Sequence, residues 1–273
     1  MFDDARAASR QARSLRRVGH RPFPLPSSRW TLGQTWEHYF WAHWRMPLEE
    51  MRAHVPDELE IEECDGSAWL GMVFFRVRAL RARGGLPLPG ISSFLQLNIR
   101  TYVRGPDGLP GVWFFTIDAS SRLAALGVRG LYHVPAFHAR MALDLGAGST
   151  GGKAAGARRI DRAAAGGAGS DDWTDAECVR MGEPGRVFSG RYRAAGESFH
   201  AETGSLEWFL TERYRLFARD SRAEMHHDQW LLRPVEAEIE LTSIAPFELR
   251  GDPLCHMSLR QDALIWPPEP VRG

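Results

Sequence analysis

Short segments of alternating or aromatic-rich sequence, each bounded by turn residues, recur along most of this chain and limit its fold more than any other feature. Two pairs of them are joined by turns, one at Asp65-Gly66 and one at the GPDG stretch 105–108, and Asp-Gly is a strong hairpin signal. About ten such segments, with only a few helical ones, predict a mainly β (β-rich α+β) fold. Open edges are costly in a sheet of this size. We therefore expect a closed antiparallel β-barrel with a few short helices.

Three short helices are predicted between these strands. One begins at Pro47, and another covers Ser205–Leu210. A third is capped by Ser120 or Ser121. Its apolar residues recur at helical spacing: Leu123, Leu126 and Leu131.

Two regions of biased composition flank and interrupt the predicted domain. Residues 1–27 are rich in Arg, Ala and Ser and then in Pro, which predicts a disordered basic tail. Residues 146–172 are dominated by Gly and Ala and can bury little, so we expect a flexible insertion there. The rest of the chain, 28–270, then forms a single β-barrel domain.

Charge and hydropathy exclude several classes of partner. The 34 basic and 34 acidic residues cancel, so no overall field attracts nucleic acid or anionic lipid. No stretch approaches the roughly 18 apolar residues of a membrane-spanning helix, and the N-terminus lacks the apolar run of a secretory signal. Three widely spaced cysteines indicate neither a disulfide framework nor a zinc knuckle. We expect a cytoplasmic protein without nucleic-acid or membrane partners, and a homo-oligomer is compatible with these observations.

The segment FLQLNIRTYVR (94–104) carries polar residues on one face of a predicted strand. Asn98, Arg100 and Tyr102 alternate with apolar residues, and alternate residues of a strand share a face. This face is either exposed to solvent or lines a ligand cavity inside the barrel, where Asn98 and Arg100 would anchor the ligand. The next segment, GVWFFTIDA (111–119), is apolar on both faces and should be covered on both sides. That favours the cavity.

Other ionisable residues form a second set of candidates. Glu212 is adjacent to Arg213 but points to the opposite face of its predicted strand, so each needs another partner. If Glu212 is buried, it is a candidate acid or base, with a structural ion pair as the alternative. His138 and Arg140 share a strand face and could bind an anionic or carbonyl ligand. No HxH or HExxH spacing supports a metal, and nucleophile elbows and phosphate loops are absent, so we expect neither a metal nor a cofactor.

Several motifs that occur in order resemble the YqjF-like family, domain of unknown function family 2071. They lie between about Trp36 and Glu269: DGSAWLGMVFFRVR, LNIRTYV, PGVWFFTIDA, YHVPAFHARM, SLEWFLTERYRLF, MHHDQWLL and DALIWPPE. The resemblance implies a relationship to acetoacetate decarboxylase-like proteins, with a closed barrel and a central small-molecule cavity. It implies no established activity.

Acetoacetate decarboxylase forms a Schiff base through a lysine that follows a Gly-aromatic-Pro turn, and the resemblance places this turn at HVPAFHAR (133–140). No lysine stands there, since Pro135 is followed by Ala136, Phe137 and His138. Lys153, the one lysine among 34 basic residues, falls in the Gly/Ala-rich insertion, where nothing would lower its pKa. We therefore expect no Schiff-base decarboxylation.

Binding without catalysis is the first function that stays open. In this hypothesis the barrel holds a small metabolite with a carboxylate or carbonyl group, and Asn98, Arg100 and Arg140 anchor it. The aromatic walls of the site would be Trp69, Phe115 and Phe137.

Catalysis by a lysine-independent lyase or isomerase is the second function that stays open. Glu212, His138 or Tyr102 would move protons while Arg100 holds a carboxylate. A buried carboxylate and a histidine that converge on the cavity would favour the enzyme. A cavity lined by aromatic residues and one arginine would favour binding, and a fully packed barrel would favour a structural role.

Overall fold

The computed structural model describes residues 2–88, 91–146, 173–182, 186–219, 221–241 and 247–271, so the predicted insertion lies almost wholly outside it. The helices are α1 (Phe2–Ser14), α2 (Leu48–Arg52), α3 (Arg122–Tyr132) and α4 (Leu206–Thr211). The strands are β1 (Leu32–Met46), β2 (Glu60–Ile61), β3 (Ala68–Ala82), β4 (Phe94–Arg104), β5 (Pro110–Ala119), β6 (Ala136–Asp144), β7 (Thr174–Arg180), β8 (Arg186–Ala194), β9 (Arg215–Ala218), β10 (Ser221–His227), β11 (Arg233–Leu241), β12 (Leu254–Ile265) and β13 (Glu269–Pro270). None of the described helices has the length and apolar character needed to cross a bilayer.

Strand pairing closes the sheet into two rings that share one wall. The wall is β12-β1-β3-β4-β5 in the order of hydrogen bonding. Strands β9 and β10 connect β5 back to β12, which completes a seven-stranded ring, the first barrel. Strands β6, β7, β8 and β11 connect the same two strands on the other side, which completes a nine-stranded ring, the second barrel. The predicted closed β-barrel with short helices is confirmed; within the described residues its named strands pair antiparallel except β5 with β6 and β5 with β9.

The shared wall is buried on both faces, and this explains its sequence. Along β3, apolar odd-numbered residues from Trp69 to Val77 belong to the core of the first barrel. Even-numbered residues from Ala68 to Phe74 belong to the core of the second barrel. A strand with two buried faces reads as a continuous apolar run instead of an alternating one, as WLGMVFF does here.

The two predicted turns have different outcomes. Strands β4 and β5 form the expected antiparallel hairpin around residues 105–108. At Asp65-Gly66 the turn also forms, with φ of 53° and 69°. The strand before it, β2, pairs with β4 instead of β3, so this hairpin is reduced to the bridge between Cys64 and Ser67.

The N-terminal region differs from the predicted disordered tail at 1–27. Helix α1 lies against β1 and β12 and buries a narrow face of Ala7, Gln11 and Ser14, each 0% exposed. The Gln11 side chain accepts a hydrogen bond from Arg81 of β3 at 2.8 Å. Because this buried face consists of small and polar residues, the Arg-, Ala- and Ser-rich composition of the segment did not predict a packed helix.

Helix α3 begins as predicted, but its leucines are not in the core. The Ser121 hydroxyl accepts a hydrogen bond from the Ala124 amide at 3.2 Å, which is an N-cap. Ala125 and Tyr132 are the buried residues of this helix. Three large apolar side chains are exposed instead, at 63%, 61% and 58%: Leu123, Leu126 and Leu131.

A buried ion pair between two strands of the second barrel predicts a stability difference. Asp118 of β5 is 0% exposed and accepts hydrogen bonds of 2.8 and 2.9 Å from Arg180 of β7. We expect Asp118→Asn to lower the free energy of unfolding by about 3–5 kcal/mol, because it removes the charge that a largely buried arginine pairs with. Urea denaturation measures this change. The control Glu238→Gln breaks an equally bidentate but exposed pair with Arg191 and should cost less than about 1 kcal/mol; equal losses would contradict the prediction.

Candidate functional site

The first barrel encloses a cavity of about 600 Å³. It lies between the wall strands, helix α3 and the segment that joins β3 to β4. Its lining is mainly apolar. Besides the hydroxyls of Tyr39 and Tyr132, its polar or charged side chains are Gln34, Arg81, Ser92, Gln96, Asn98 and Arg100. A cavity of this size accommodates a small-molecule ligand. The fully packed interior that would favour a structural role is therefore excluded.

Strand β4 turns its predicted polar face toward this cavity. Gln96, Asn98 and Arg100 line it, whereas Leu97 and Ile99 belong to the core of the second barrel. Asn98 is only 2% exposed and Arg100 only 7%. The alternation of this strand thus separates a cavity from a core, and neither of its faces is a solvent face.

The strand register accounts for the space around Arg100. His43 of β1 is the register partner of Gly71 of β3, and Gly71 is the partner of Arg100 of β4. A methyl group added at Gly71 would lie 3.2 Å from both His43 Cδ2 and the Tyr102 hydroxyl. Glycine at this position leaves the room that the imidazole, the phenol and the guanidinium share.

Arg100 is poorly partnered for a buried cation. Its Nη2 donates a long hydrogen bond of 3.5 Å to the Leu210 carbonyl of α4, and its Nε has no hydrogen-bond partner. Its guanidinium also interacts with the neutral hydroxyls of Tyr39 and Tyr102. No carboxylate pairs with it in the described part of the chain. The other buried arginines either form ion pairs with carboxylates or donate three hydrogen bonds: Arg21, Arg213 and Arg215 in the first case, Arg81 in the second.

The groups around Arg100 are neutral. Burial raises the pKa of Tyr39 to about 12 and also raises the pKa of Tyr102, while the nearby guanidinium opposes both increases. Burial and Arg100 together lower the pKa of His43 well below its usual range. Neither imidazole nitrogen of His43 has a hydrogen-bond partner of good geometry. Arg100 is therefore the cation of this group, and the other three side chains can donate or accept hydrogen bonds without carrying charge.

Sequence reasoning missed His43. A signal was present, because in TWEHYFWAHW the residues Tyr39, Trp41 and His43 alternate and therefore share a face. What the sequence does not reveal is that β3 pairs beside this strand and that its glycine faces the imidazole.

The three predicted aromatic walls lie away from the described lining of the cavity. Trp69 is buried nearer the other end of the barrel, where its Nε1 donates to the Cys64 carbonyl at 3.1 Å. Phe137 lies against the Arg180 guanidinium, 3.9 Å from its ring centroid. Phe115 is displaced because the pairing of β4 with β5 shifts register between Ile99 and Arg100. The aromatic and apolar side chains that line the cavity instead are Trp36, Tyr39, Phe75, Phe94, Phe114 and Ile117.

The predicted pair His138 and Arg140 also lies elsewhere. Both are on β6, which belongs only to the second barrel. His138 is half-buried and Arg140 is exposed. Their strand face therefore points away from the cavity of the first barrel.

Glu212 is buried, but its partners are structural. Its carboxylate accepts a hydrogen bond from the Trp230 amide at 2.9 Å and another from the Tyr214 hydroxyl. Burial raises its pKa. Arg213 points elsewhere and pairs with Glu62, so the two neighbours do have separate partners. Glu212 is not among the described residues that line the cavity, and no group of His, Cys, Asp or Glu in the described chain is arranged to hold a metal ion.

Sequence comparison identifies the relatives of this barrel. A family model described as DUF2071, "Uncharacterized conserved protein (COG2071)", matches residues 33–262. The chain is 34% identical over 251 residues to the uncharacterized protein YqjF of Bacillus subtilis (strain 168), a match that covers 89% of this chain and 93% of YqjF. The chain belongs to the DUF2071 family.

Two solved structures share the fold of this DUF2071 protein. The enduracididine biosynthesis enzyme MppR, complexed with pyruvate, has a TM-score of 0.61 at 12% identity, with 92% of each chain covered. An acetoacetate decarboxylase-like enzyme from Sphingomonas wittichii RW1 has a TM-score of 0.60 at 13% identity, with 93% of this chain and 98% of that one covered. Identities this low show the fold alone, and they confirm the acetoacetate decarboxylase-like barrel.

Two adjacent buried histidines of this DUF2071 protein lie outside the cavity. His226 and His227 point to opposite faces of β10, and their Nε2 atoms contact the Ser14 and Arg213 carbonyls at 3.0 and 3.3 Å. Burial lowers the pKa of His226 to about 4 and that of His227 to about 3. Both imidazoles therefore stay neutral in the folded protein at pH values where the unfolded chain is protonated.

We expect the free energy of unfolding to fall as the pH decreases from about 6.5 to about 4, because the unfolded state binds more protons over that interval. Urea denaturation at several pH values measures the slope. His227→Gln should make the slope shallower, since it removes one group that protonates only on unfolding. His54→Gln, at an exposed position, should leave the slope unchanged. An identical slope in all three proteins would rule out this cause.

Proposed function

We propose that this protein binds a small organic carboxylate or carbonyl compound in the cavity of the first barrel, with Arg100 as the anchor for the anion. One observation carries the proposal: Arg100 is a buried guanidinium on the cavity lining, and no carboxylate in the described chain pairs with it. Burying an unpaired charge is costly. A carboxylate ligand would supply the missing charge and could accept two parallel hydrogen bonds from the guanidinium.

The neighbours of Arg100 suit the rest of such a ligand. Asn98 lies on the same face of β4, and its Oδ1 is buried without a partner. This oxygen can accept a hydrogen bond from a ligand hydroxyl, and the NH₂ group of the same amide is of the type that donates to a carbonyl. The described lining contains no Asp, Glu or His, which supports binding over proton-transfer chemistry. A structural neighbour is described as complexed with pyruvate, a 2-oxo acid, and this supports the same class of ligand.

Replacing Arg100 tests the anchor directly. We expect Arg100→Met to abolish the stabilisation that 2-oxo acids give to the wild-type protein. A ligand that binds the folded state stabilises it by mass action, by about 2.7 kcal/mol at a hundredfold excess over Kd. Without ligand, Arg100→Met should be no less stable than wild type, because it removes a buried charge with no counter-charge. Thermal-shift measurements with and without pyruvate and acetoacetate give both results.

Arg213→Met is the matched control for this change. Arg213 is another buried arginine beside Tyr102, but it is paired with Glu62. Its replacement should cost about 1–3 kcal/mol of stability, because a buried carboxylate loses a partner, and should leave the ligand-induced shift in place. A ligand response that survives Arg100→Met would refute the anchor.

The ligand is held without a Schiff base in this proposal. No lysine is among the described residues that line the cavity, and Lys153 lies outside the described residues. Treatment with pyruvate or acetoacetate and borohydride should therefore leave the mass of the intact protein unchanged, while an enzyme with a Schiff-base lysine gains a reduced adduct. An adduct on this chain would overturn the assignment.

A lysine-independent lyase or isomerase is the second candidate function, favoured by the two neutral side chains beside Arg100. The Tyr102 hydroxyl already donates to the Leu210 carbonyl at 2.9 Å, and its oxygen can still accept a proton or hydrogen bond. His43 has both nitrogens without partners. Exchange of the α-protons of a bound 2-oxo acid with deuterated solvent, followed by NMR, distinguishes the two functions. Exchange that is lost in Tyr102→Phe or His43→Phe indicates the enzyme, and no exchange despite binding indicates the binder.

We also propose that the protein resides in the cytoplasm. Its three cysteines are all free thiols, and two of them, Cys178 and Cys255, are buried. Unpaired cysteines are typical of a reducing compartment. Fractionation of cells that express the full chain tests this location.

A further inference from the structure

The cavity is longer than a small keto acid requires. Along β4 its lining runs from Phe94 to Arg100, a strand length of about 20 Å at ~3.3 Å per residue. The Arg100 end is deep in the barrel, where α4 covers it through the Leu210 carbonyl. The Phe94 end lies beside α3 and the segment between β3 and β4.

The fully buried polar atoms that lack a hydrogen-bond partner lie at one end of this cavity. Among the described lining residues, the buried polar side-chain atoms without a hydrogen bond are Asn98 Oδ1 and Arg100 Nε. Polar side chains toward the other end have protein partners: Gln34 accepts from Trp36 at 2.7 Å, and Ser92 accepts from the Leu88 amide at 2.6 Å. The fully buried lining atoms with unmet hydrogen-bonding capacity are therefore those of the deep end.

The other end of the cavity opens to solvent between apolar side chains. Several residues line the cavity and are also exposed, which marks them as its mouth. They are Leu86 (74%), Leu88 (58%), Ile91 (40%), Leu123 (63%) and Leu131 (58%). Exposed apolar groups that surround a pocket indicate a binding surface. Between this mouth and Asn98 the walls are mainly apolar, and Gln96 is the polar side chain that β4 adds there. The apolar walls are formed by Phe75, Phe94, Phe114, Ile117 and Val128.

We infer that the ligand is an amphiphilic carboxylate with a long unbranched apolar chain. Its carboxylate lies at Arg100, with Asn98 beside its polar end, and its chain runs along β4 to the leucine-lined mouth. This inference rests on the proposed function and names the ligand class for the same site. A short keto acid would satisfy the deep end and leave the apolar length of the cavity unfilled, whereas an alkyl chain gains free energy for each methylene it buries there.

A homologous series of 2-oxo acids tests the inference on the full-length protein. Pyruvate, 2-oxohexanoate, 2-oxooctanoate and 2-oxodecanoate differ only in chain length, and calorimetry below their aggregation concentrations gives each Kd. We expect affinity to rise about fourfold for each added methylene, the fold-change equivalent of ~0.8 kcal/mol per buried CH₂. The methyl ester of 2-oxodecanoate should bind much more weakly than the acid, because it lacks the charge.

Two glycines of α3 provide a matched pair of variants. Gly127 lines the cavity and Gly130 does not, and no atom lies within 4 Å of a Cβ placed at either position. Gly127→Leu would add a side chain at the cavity lining, and its Cβ would meet no atom within 4 Å. It should weaken 2-oxodecanoate binding by about fifteenfold, the equivalent of roughly two lost methylenes, and leave pyruvate binding unchanged. Gly130→Leu should change neither, although both substitutions raise helix propensity equally.

The outcomes separate the inference from the proposed function. If all four acids bind with equal affinity and lose affinity in Arg100→Met, the carboxylate site is real and the long-chain inference is wrong. If Gly127→Leu weakens pyruvate and 2-oxodecanoate equally, the chain does not pass α3 and the inference is also wrong. If no acid binds, or if the ester binds as tightly as the acid, the proposed function itself fails.

Discussion

The five-stranded wall β12-β1-β3-β4-β5 has a core on each face, and this double burial governs the rest of the structure. A strand in such a wall has no solvent face, so each polar side chain on it must find a partner or border a cavity. Asp118 meets that demand through Arg180. Asn98 and Arg100 border a cavity instead. In β4 the alternation of polar and apolar residues therefore separates the cavity of the first barrel from the packed core of the second.

The two ends of the cavity differ in character because different elements cover them. At the deep end, α4 contributes the Leu210 carbonyl to the Arg100 guanidinium, and no carboxylate of the described chain pairs with that cation. At the mouth, α3 and the β3–β4 segment contribute leucines that neither barrel buries. A buried cation without a counter-charge and exposed leucines both depart from the local patterns that favour stability. Such departures are expected where function has competed with stability. Both departures occur here on the same cavity.

Much of the fold could be predicted from the sequence because its signals are local. The β4–β5 hairpin, the serine caps of α3 and α4 and most strands follow from patterns within about ten residues. The polar face of β4 is another local pattern, and it led to Asn98 and Arg100. Helix α1 escaped prediction because its buried face is built from alanine, glutamine and serine.

The remaining differences come from pairings between distant segments. Phe115 was expected in the cavity. The pairing of β4 with β5 shifts register opposite Arg100, so that Arg100 pairs with Phe114 and Phe115 is skipped. His138 and Arg140 were expected beside Arg100, but their strand closes the second barrel. No local pattern tells which of two rings a strand will join. For the same reason Gly71 has no visible role in the sequence, although it separates His43 from Arg100.

The pairing of β1 with β12 has a consequence for how the chain reaches this state. The Thr31 hydroxyl contacts the Ile265 carbonyl, 234 residues further along, and both rings include these two strands. Neither barrel can close until β12 has been synthesised, more than 200 residues after β1 begins. Contacts this remote in sequence slow folding and prolong the exposure of unpaired strand edges. The nascent chain should therefore depend on chaperones more than its final compactness suggests.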